Sequence, residues 1–334
     1  MTDTGIPTTT FPDGRSAVAL AQGTWNMGDD AGARATELDA LRAGIDHGLT
    51  AIDTAEMYGS GRSEELVGEA IAGRRDDVFL ISKVLPSNAS RRGTGEAARR
   101  SLARLGTDRL DLYLLHWRGS HPLADTVAAM QELVEEGLVR AWGVSNLDAD
   151  DLDELAAIPG GDAAQTDQVL YNLAQRGPEH DVIPWARARR MPVMAYSPLD
   201  QGRLATDPAL ADLAAPLGVS AGQLALAWVV RQAPHVFATA KAATRAHVAE
   251  NRAALDLVIP EETLAALDRA FPGREAAHRS RCTDAPQVRA APVTIHRSPR
   301  ARRPSVSARR RCTRVRTRPR ARAGRACRRR GRSP

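Results

Sequence analysis

The chain has 334 residues and a formal net charge of +6, but the charge is split. Residues 274–334 hold 21 Arg against two acids, Glu275 and Asp284, so this stretch carries +19 and residues 1–273 carry −13. All three cysteines (Cys282, Cys312 and Cys327) lie in the basic stretch, which excludes a disulfide scaffold, a thiol nucleophile and a cysteine zinc site from residues 1–273.

Short apolar strands alternate with amphipathic helices along residues 1–273. A hairpin around Phe11 to Ser16, turning on Asp13-Gly14, is expected to plug the floor of a barrel. A strand at Ala19 to Gly23 leads into a helix over Arg34 to Asp46, where Leu38, Leu41 and Ile45 recur at helical spacing. Leu49 to Asp53 precedes a helix at Glu64 to Ala72, and Val78 to Lys83 precedes one over Gly95 to Leu105. Leu110 to His116 and Leu138 to Val144 are followed by helices at Ala124 to Glu136 and Ala149 to Ala156. Thr166 to Val169, Met191 to Tyr196 and His235 to Ala238 complete the strands. Their helices are expected at Ile183 to Arg190, Ala221 to Gln232 and Ala246 to Leu255, with an extra helix over Pro260 to Phe271. Alternation of this kind implies parallel pairing with right-handed crossovers. Eight units in about 270 residues fit an α/β fold of the (β/α)8 TIM-barrel type. An open doubly wound sheet is the second choice.

In such a barrel the chemistry sits at the C-terminal ends of the strands. Asp53, Lys83 and His116 end three consecutive strands, and Tyr58 lies five residues beyond Asp53. A lone Asp, Lys or His at a strand end is usually structural; four such groups converging on one mouth are less easily accidental. A phenol has a reference pKa of about 10, and a neighbouring ammonium favours phenolate, so Lys83 is expected to bring Tyr58 down toward neutrality. Asp53 would keep Lys83 charged, and His116 could donate to a carbonyl oxygen. These groups deliver a proton but no hydride, so a cofactor must supply one.

The segment Ala51-Ile-Asp-Thr-Ala-Glu-Met-Tyr-Gly59, followed by Glu64-Glu-Leu-Val-Gly68, closely resembles the aldo-keto reductase signature. Leu112-Tyr-Leu-Leu-His-Trp117, Gly143-Val-Ser-Asn146, Gln168-Val-Leu-Tyr-Asn172 and Ala195-Tyr-Ser-Pro-Leu199 resemble later segments of the same family, in the same order, from about Gly23 to Phe271. The resemblance implies a reductase using NADPH/NADP+ on aldehydes or ketones, with small 2-oxoaldehydes such as methylglyoxal as plausible substrates. It makes Tyr58 the general acid, tuned by Lys83 and Asp53, with His116 positioning the carbonyl. It assigns Ser145, Asn146 and Gln168 to the nicotinamide carboxamide and Tyr196 to the ring face. Ser197 and Leu199 would lie along the pyrophosphate, Lys241 at the 2′-phosphate, and Glu250 and Asn251 near the adenine. Gly23, Thr24, Trp25 and Asp53 join the cofactor-binding set; Trp25 and Trp117 join Tyr58 and His116 around the substrate. Two positions depart from the family. Thr239-Ala-Lys-Ala242 stands where Ile-Pro-Lys-Ser is usual, and His247 stands where many members have arginine, which forks onto phosphate better than histidine does. Lys241 remains and Arg245 is available to compensate, so NADPH is expected over NADH.

Other signals are weaker. Gly59-Ser-Gly61 lacks the third glycine of a dinucleotide loop, and acids follow it. Ser63 reads as a helix N-cap. His116 and His121 do not have zinc-motif spacing, and no metal is expected. Trp25, Trp117 and Trp142 read as residues of the barrel mouth, while Trp185 and Trp228 read as core. The expected organisation is a barrel over residues 1–273 and a disordered basic tail over residues 274–334. The tail's Arg, Ala, Pro and Gly mixture resembles wrong-frame translation of GC-rich DNA, which is the favoured reading over a nucleic-acid-binding extension or a functionless one. A non-catalytic NADPH-binding regulator is the remaining alternative. Met1 to Gly14 has no apolar signal core, and the apolar run Leu224–Val230 is too short to span a bilayer. A cytoplasmic monomer with a small-molecule carbonyl substrate is expected.

Overall fold

The computed structural model describes residues 6–273. The basic tail, its cysteines and the wrong-frame reading lie outside the described residues.

Two short strands, β1 (Thr8–Thr10) and β2 (Ser16–Val18), pair antiparallel at the start. Strand and helix then alternate: β3 (Leu20–Gly23), α1 (Arg34–Asp46), β4 (Ala51–Asp53), α2 (Arg62–Ala70), β5 (Phe79–Val84), α3 (Arg91–Leu105), β6 (Leu112–Leu115) and α4 (Leu123–Glu135). They continue with β7 (Trp142–Ser145), α5 (Ala149–Ala157), β8 (Asp167–Leu170), α6 (Val182–Ala188), β9 (Val193–Tyr196), α7 (Pro208–Ala214), α8 (Ala221–Val230), β10 (Val236–Lys241), α9 (Arg245–Ala254) and α10 (Glu261–Ala270). Strands β3 to β10 close into a parallel barrel in sequence order, with β10 returning to β3. The eight expected strand–helix units are all present, and the open sheet is excluded.

Local chemistry explains the helix bounds. Ser90 caps α3 by accepting from Gly93 N at 3.1 Å, and Gly106 ends the helix in the left-handed region (φ +60°), which favours glycine. Ser220 and Gln223 form a capping box at the start of α8. That helix is apolar and buried nearly all round, so its solvation comes from neighbours rather than water. No single helix among the described residues is long and apolar enough to cross a membrane. Helix α7 was not expected. It is short, starts at Asp207-Pro208, and buries only Leu210 and Ala214, so it shows no long apolar stripe.

The hairpin closes the floor, as expected. Phe11, in the turn between β1 and β2, is buried and stacks on Phe79 at 5.3 Å and edge-on against Phe237 at 5.6 Å. Both partners lie at the N-terminal ends of their strands. Polar contacts hold the turn: Asp13 N donates to Gln165 Oε1 (2.9 Å), and Arg15 Nη1 to the Asp111 carbonyl (3.0 Å). Trp142 corrects an expectation. It opens β7 and is buried at that end of the strand, because β7 starts later than the apolar run suggested.

Candidate active site

The barrel's C-terminal rim carries buried charge. Asp53 ends β4 and pairs in register with Gly23 of β3 and Ile81 of β5. Lys83, two residues past Ile81, is wholly buried. Side chains two apart on a strand share a face, which puts the ammonium and the carboxylate inside the same barrel. Lys83 Nζ donates to Asp53 Oδ1 at 2.6 Å, to the Thr54 carbonyl at 3.0 Å and to Tyr58 Oη at 3.4 Å. Tyr58 reaches this point from a tight turn, Tyr58–Gly61, in which Gly59, Ser60 and Gly61 all have positive φ. The His116 ring meets the Tyr58 ring edge-on at 5.8 Å. His116 follows β6 directly, and its backbone N–H extends the ladder to the Val84 carbonyl. The four expected residues therefore come together.

Their protonation differs in part from expectation. Burial raises the Tyr58 phenol above its ordinary value, and the Lys83 charge offsets this only partly. The phenol is thus a neutral O–H donor rather than one brought toward neutral pH, because desolvation of the phenolate outweighs the ammonium's attraction. Burial pulls Lys83 down, but Asp53 and the Tyr58 oxygen more than compensate, and it stays charged. Burial, assisted by Lys83, holds His116 well below the usual histidine value, so its ring is neutral.

A second polar cluster adjoins the first. Gln168 Nε2 donates to Asp53 Oδ1 (3.3 Å) and lies 2.8 Å from Met194 Sδ. Ser145 Oγ donates to the Gln168 carbonyl (2.7 Å), Asn146 Nδ2 to Ser145 Oγ (3.0 Å) and to the His116 carbonyl (3.0 Å). Tyr196 Oη donates to Asn146 Oδ1 at 3.0 Å. The cluster thus brings amide and hydroxyl donors and acceptors together. Thr24 is fully buried, and its Oγ1 donates to the Asp53 carbonyl at 3.0 Å. Trp25 and Trp117 are each 38% exposed, and Trp117 lies 4.9 Å from the His116 ring.

The remaining expected residues spread around the rim. Ser197, at φ +50°, offers its carbonyl to Asn172 Nδ2 (2.9 Å), and Leu199 packs against the core beyond it. Lys241 ends β10 in register with Gly23, is exposed, and donates to the Asn26 carbonyl at 3.4 Å. Glu250 is exposed on α9, and Asn251 beside it is buried. Arg245 forks onto Asp39 of α1 at 2.5 and 2.7 Å, so its charge is already engaged. Six of the seven non-glycine residues with positive φ among those described (Asn26, Ser60, Asn146, Ser197, Asp200 and Gln201) lie in loops that follow strands at this rim. Such strain concentrates where geometry serves function.

Two further residues were misread from the sequence. Ser63 is no cap: α2 begins after Gly61, and the Ser63 hydroxyl turns inward to Thr24 Oγ1 (2.8 Å) and the Thr24 carbonyl (3.0 Å). Trp185 is only half-buried; its Nε1 donates to Asp153 Oδ1 (2.7 Å), and Arg189 covers its ring.

The aldo/keto reductase family model matches residues 19–271. Methylglyoxal reductase YeaE of Escherichia coli is 52% identical over 262 residues, which cover 77% of this chain and 92% of that protein. The NADH-specific methylglyoxal reductase of Escherichia coli is 35% identical over 192 residues, 51% of this chain and 57% of that protein. An aldo-keto reductase from Klebsiella pneumoniae, crystallised with NADPH, is 49% identical with a TM-score of 0.79, covering 82% of this chain and 98% of that one.

Proposed function

The chain belongs to the aldo/keto reductase family, and from that premise we propose that it reduces aldehydes or ketones with NADPH, taking the proton from Tyr58. The observation that carries this reading is the buried sequence of contacts Asp53–Lys83–Tyr58, with a neutral His116 beside it. NADPH, when bound, supplies a hydride to the carbonyl carbon. His116 donates to the carbonyl oxygen and orients it; a neutral imidazole has one N–H to give. As negative charge develops on that oxygen, Tyr58 passes its proton across, and the product is an alcohol. Lys83 stabilises the resulting phenolate until solvent reprotonates it, and Asp53 keeps Lys83 charged.

Ser145, Asn146 and Gln168 would hold the carboxamide, with Tyr196 against the ring. Ser197 and Leu199 would border the pyrophosphate, and Gly23, Thr24 and Trp25 would line the facing side. The exposed Lys241 ammonium suits the 2′-phosphate, with Glu250 and Asn251 toward the adenine. Small 2-oxoaldehydes are the proposed substrates, since the Escherichia coli relative is a methylglyoxal reductase. Turnover of methylglyoxal and a panel of other carbonyls, with NADPH and with NADH, tests this reading. NADPH-dependent loss of methylglyoxal is expected. Absence of carbonyl-dependent NADPH oxidation across the panel would refute it, and equal rates with both cofactors would remove the role of Lys241.

A further inference from the structure

Tyr58 is joined to helix α2 by a link of only three residues, Gly59, Ser60 and Gly61, all with positive φ. A link so short transmits the position of the helix to the phenol. What fixes the first turn of α2 therefore fixes the Tyr58–Lys83 contact. That turn carries two fully buried polar side chains, Ser63 and Glu64.

Each of them is tied to the chain that holds Lys83. The Ser63 hydroxyl bonds to Thr24 and lies 3.2 Å from Thr54 Oγ1; the Thr54 carbonyl in turn accepts from Lys83 Nζ. Glu64 Oε1 accepts from Ser82 Oγ at 2.6 Å, and Ser82 is the residue before Lys83 on β5. Glu64 Oε2 accepts from Arg104 of α3, at 2.6 Å from Nε and 2.5 Å from Nη2. A carboxylate removed from water needs such partners to stay charged. Arg104 also packs beneath the link: a Cβ on Gly61, at φ +96°, would lie 2.5 Å from Arg104 Cδ.

We infer that Ser63 and Glu64, with Arg104 and Ser82, are positioning residues that set the reach from Tyr58 to Lys83. Glu64 is the hub. One oxygen registers α2 against the strand of Lys83, and the other clamps the Arg104 side chain under the turn that carries Tyr58. The inference rests on Tyr58 being the proton donor.

Glu64→Gln keeps the shape and the Ser82 contact but removes the charge that holds Arg104. Its kcat with a carbonyl substrate is expected to fall by about 10- to 100-fold, the range for a misplaced reacting group. The NADPH Kd should stay near the wild-type value. The solvent deuterium isotope effect on kcat should rise, because proton transfer becomes the slower event. A merely structural role would lower the folded fraction and leave that isotope effect unchanged. Ser82→Ala leaves the Glu64–Arg104 pair intact and should show the same signature with a smaller loss. A folded Glu64→Gln protein with wild-type kcat and isotope effect would overturn the inference. If that variant does not fold, wild-type values in Ser82→Ala would overturn it instead. Tyr58→Phe, run in the same assay, separates the two claims: substantial turnover there sinks the proton-donor reading, whatever Glu64→Gln does.

Discussion

The two ends of the barrel solve opposite problems. At the floor, Phe11 stacks on Phe79 and abuts Phe237, forming an aromatic plug held by a polar turn. At the mouth, Asp53 and Lys83 form a buried ion pair beside a phenol and an imidazole, ringed by loops with left-handed backbone. The floor gains from burying surface that water solvates poorly. The mouth removes charges from water and needs internal partners for each. The difference teaches that the two ends divide the work: packing seals the floor, and the chemistry-bearing groups are confined to the rim.

The comparison breaks most visibly at the mouth. Lys83→Met leaves Asp53 buried without its cation, a loss worth about 3–5 kcal/mol. It also removes the group proposed to stabilise phenolate, so turnover should fall by about 10²- to 10⁴-fold. Thermal unfolding and steady-state rates measured on one preparation check both parts. At the floor, Phe11→Ala should cost about 3–5 kcal/mol of stability from the cavity left behind. Turnover per folded molecule should stay at the wild-type value. A large loss of kcat in that folded variant would show that the two ends are not separable in this way.

The smallest expected effect sharpens the same contrast. Asp167 is fully buried on β8, and no cation pairs with its carboxyl among the described residues. Its neighbour Gln168 contacts Asp53 inside the barrel, so Asp167 points to the opposite face, toward α5. Burial lifts its carboxyl well above the ordinary range, with the Leu147 amide offsetting only part and Asp148 and Asp151 adding to the rise. A carboxyl whose folded pKa is raised favours the fold below its unfolded pKa, and that stability is lost as pH rises toward the folded value. Asp167→Asn should therefore stabilise the protein at neutral pH. The gain should shrink below about pH 3, where Asp167 is mostly protonated in both states. Chemical denaturation of the pair at the two pH values measures it; an equal or reversed difference would contradict the assignment.

Alternation of short apolar runs with amphipathic stretches made the barrel legible, and residue types at strand ends made Asp53, Lys83 and His116 legible. Four things were not. The direction of the Tyr58 shift depends on how completely other segments bury the phenol, which spacing along the chain does not encode. The depth of Trp142 depends on where β7 begins, and pairing rather than hydrophobicity decides that. Glu64 read only as an acid after the glycines, at the start of a helix, whereas its burial depends on Arg104, forty residues away. Ser63 failed for the same reason, since its partners Thr24 and Thr54 lie on other segments.

The central claim is that a neutral phenol held against an ammonium gives up the proton. It is tested most directly by a single turnover of Tyr58→Phe preloaded with NADPH and mixed with methylglyoxal. The account predicts wild-type cofactor affinity with oxidation of the bound NADPH slowed by about 10²-fold or more. Oxidation at the wild-type rate, with cofactor bound equally well, would contradict it.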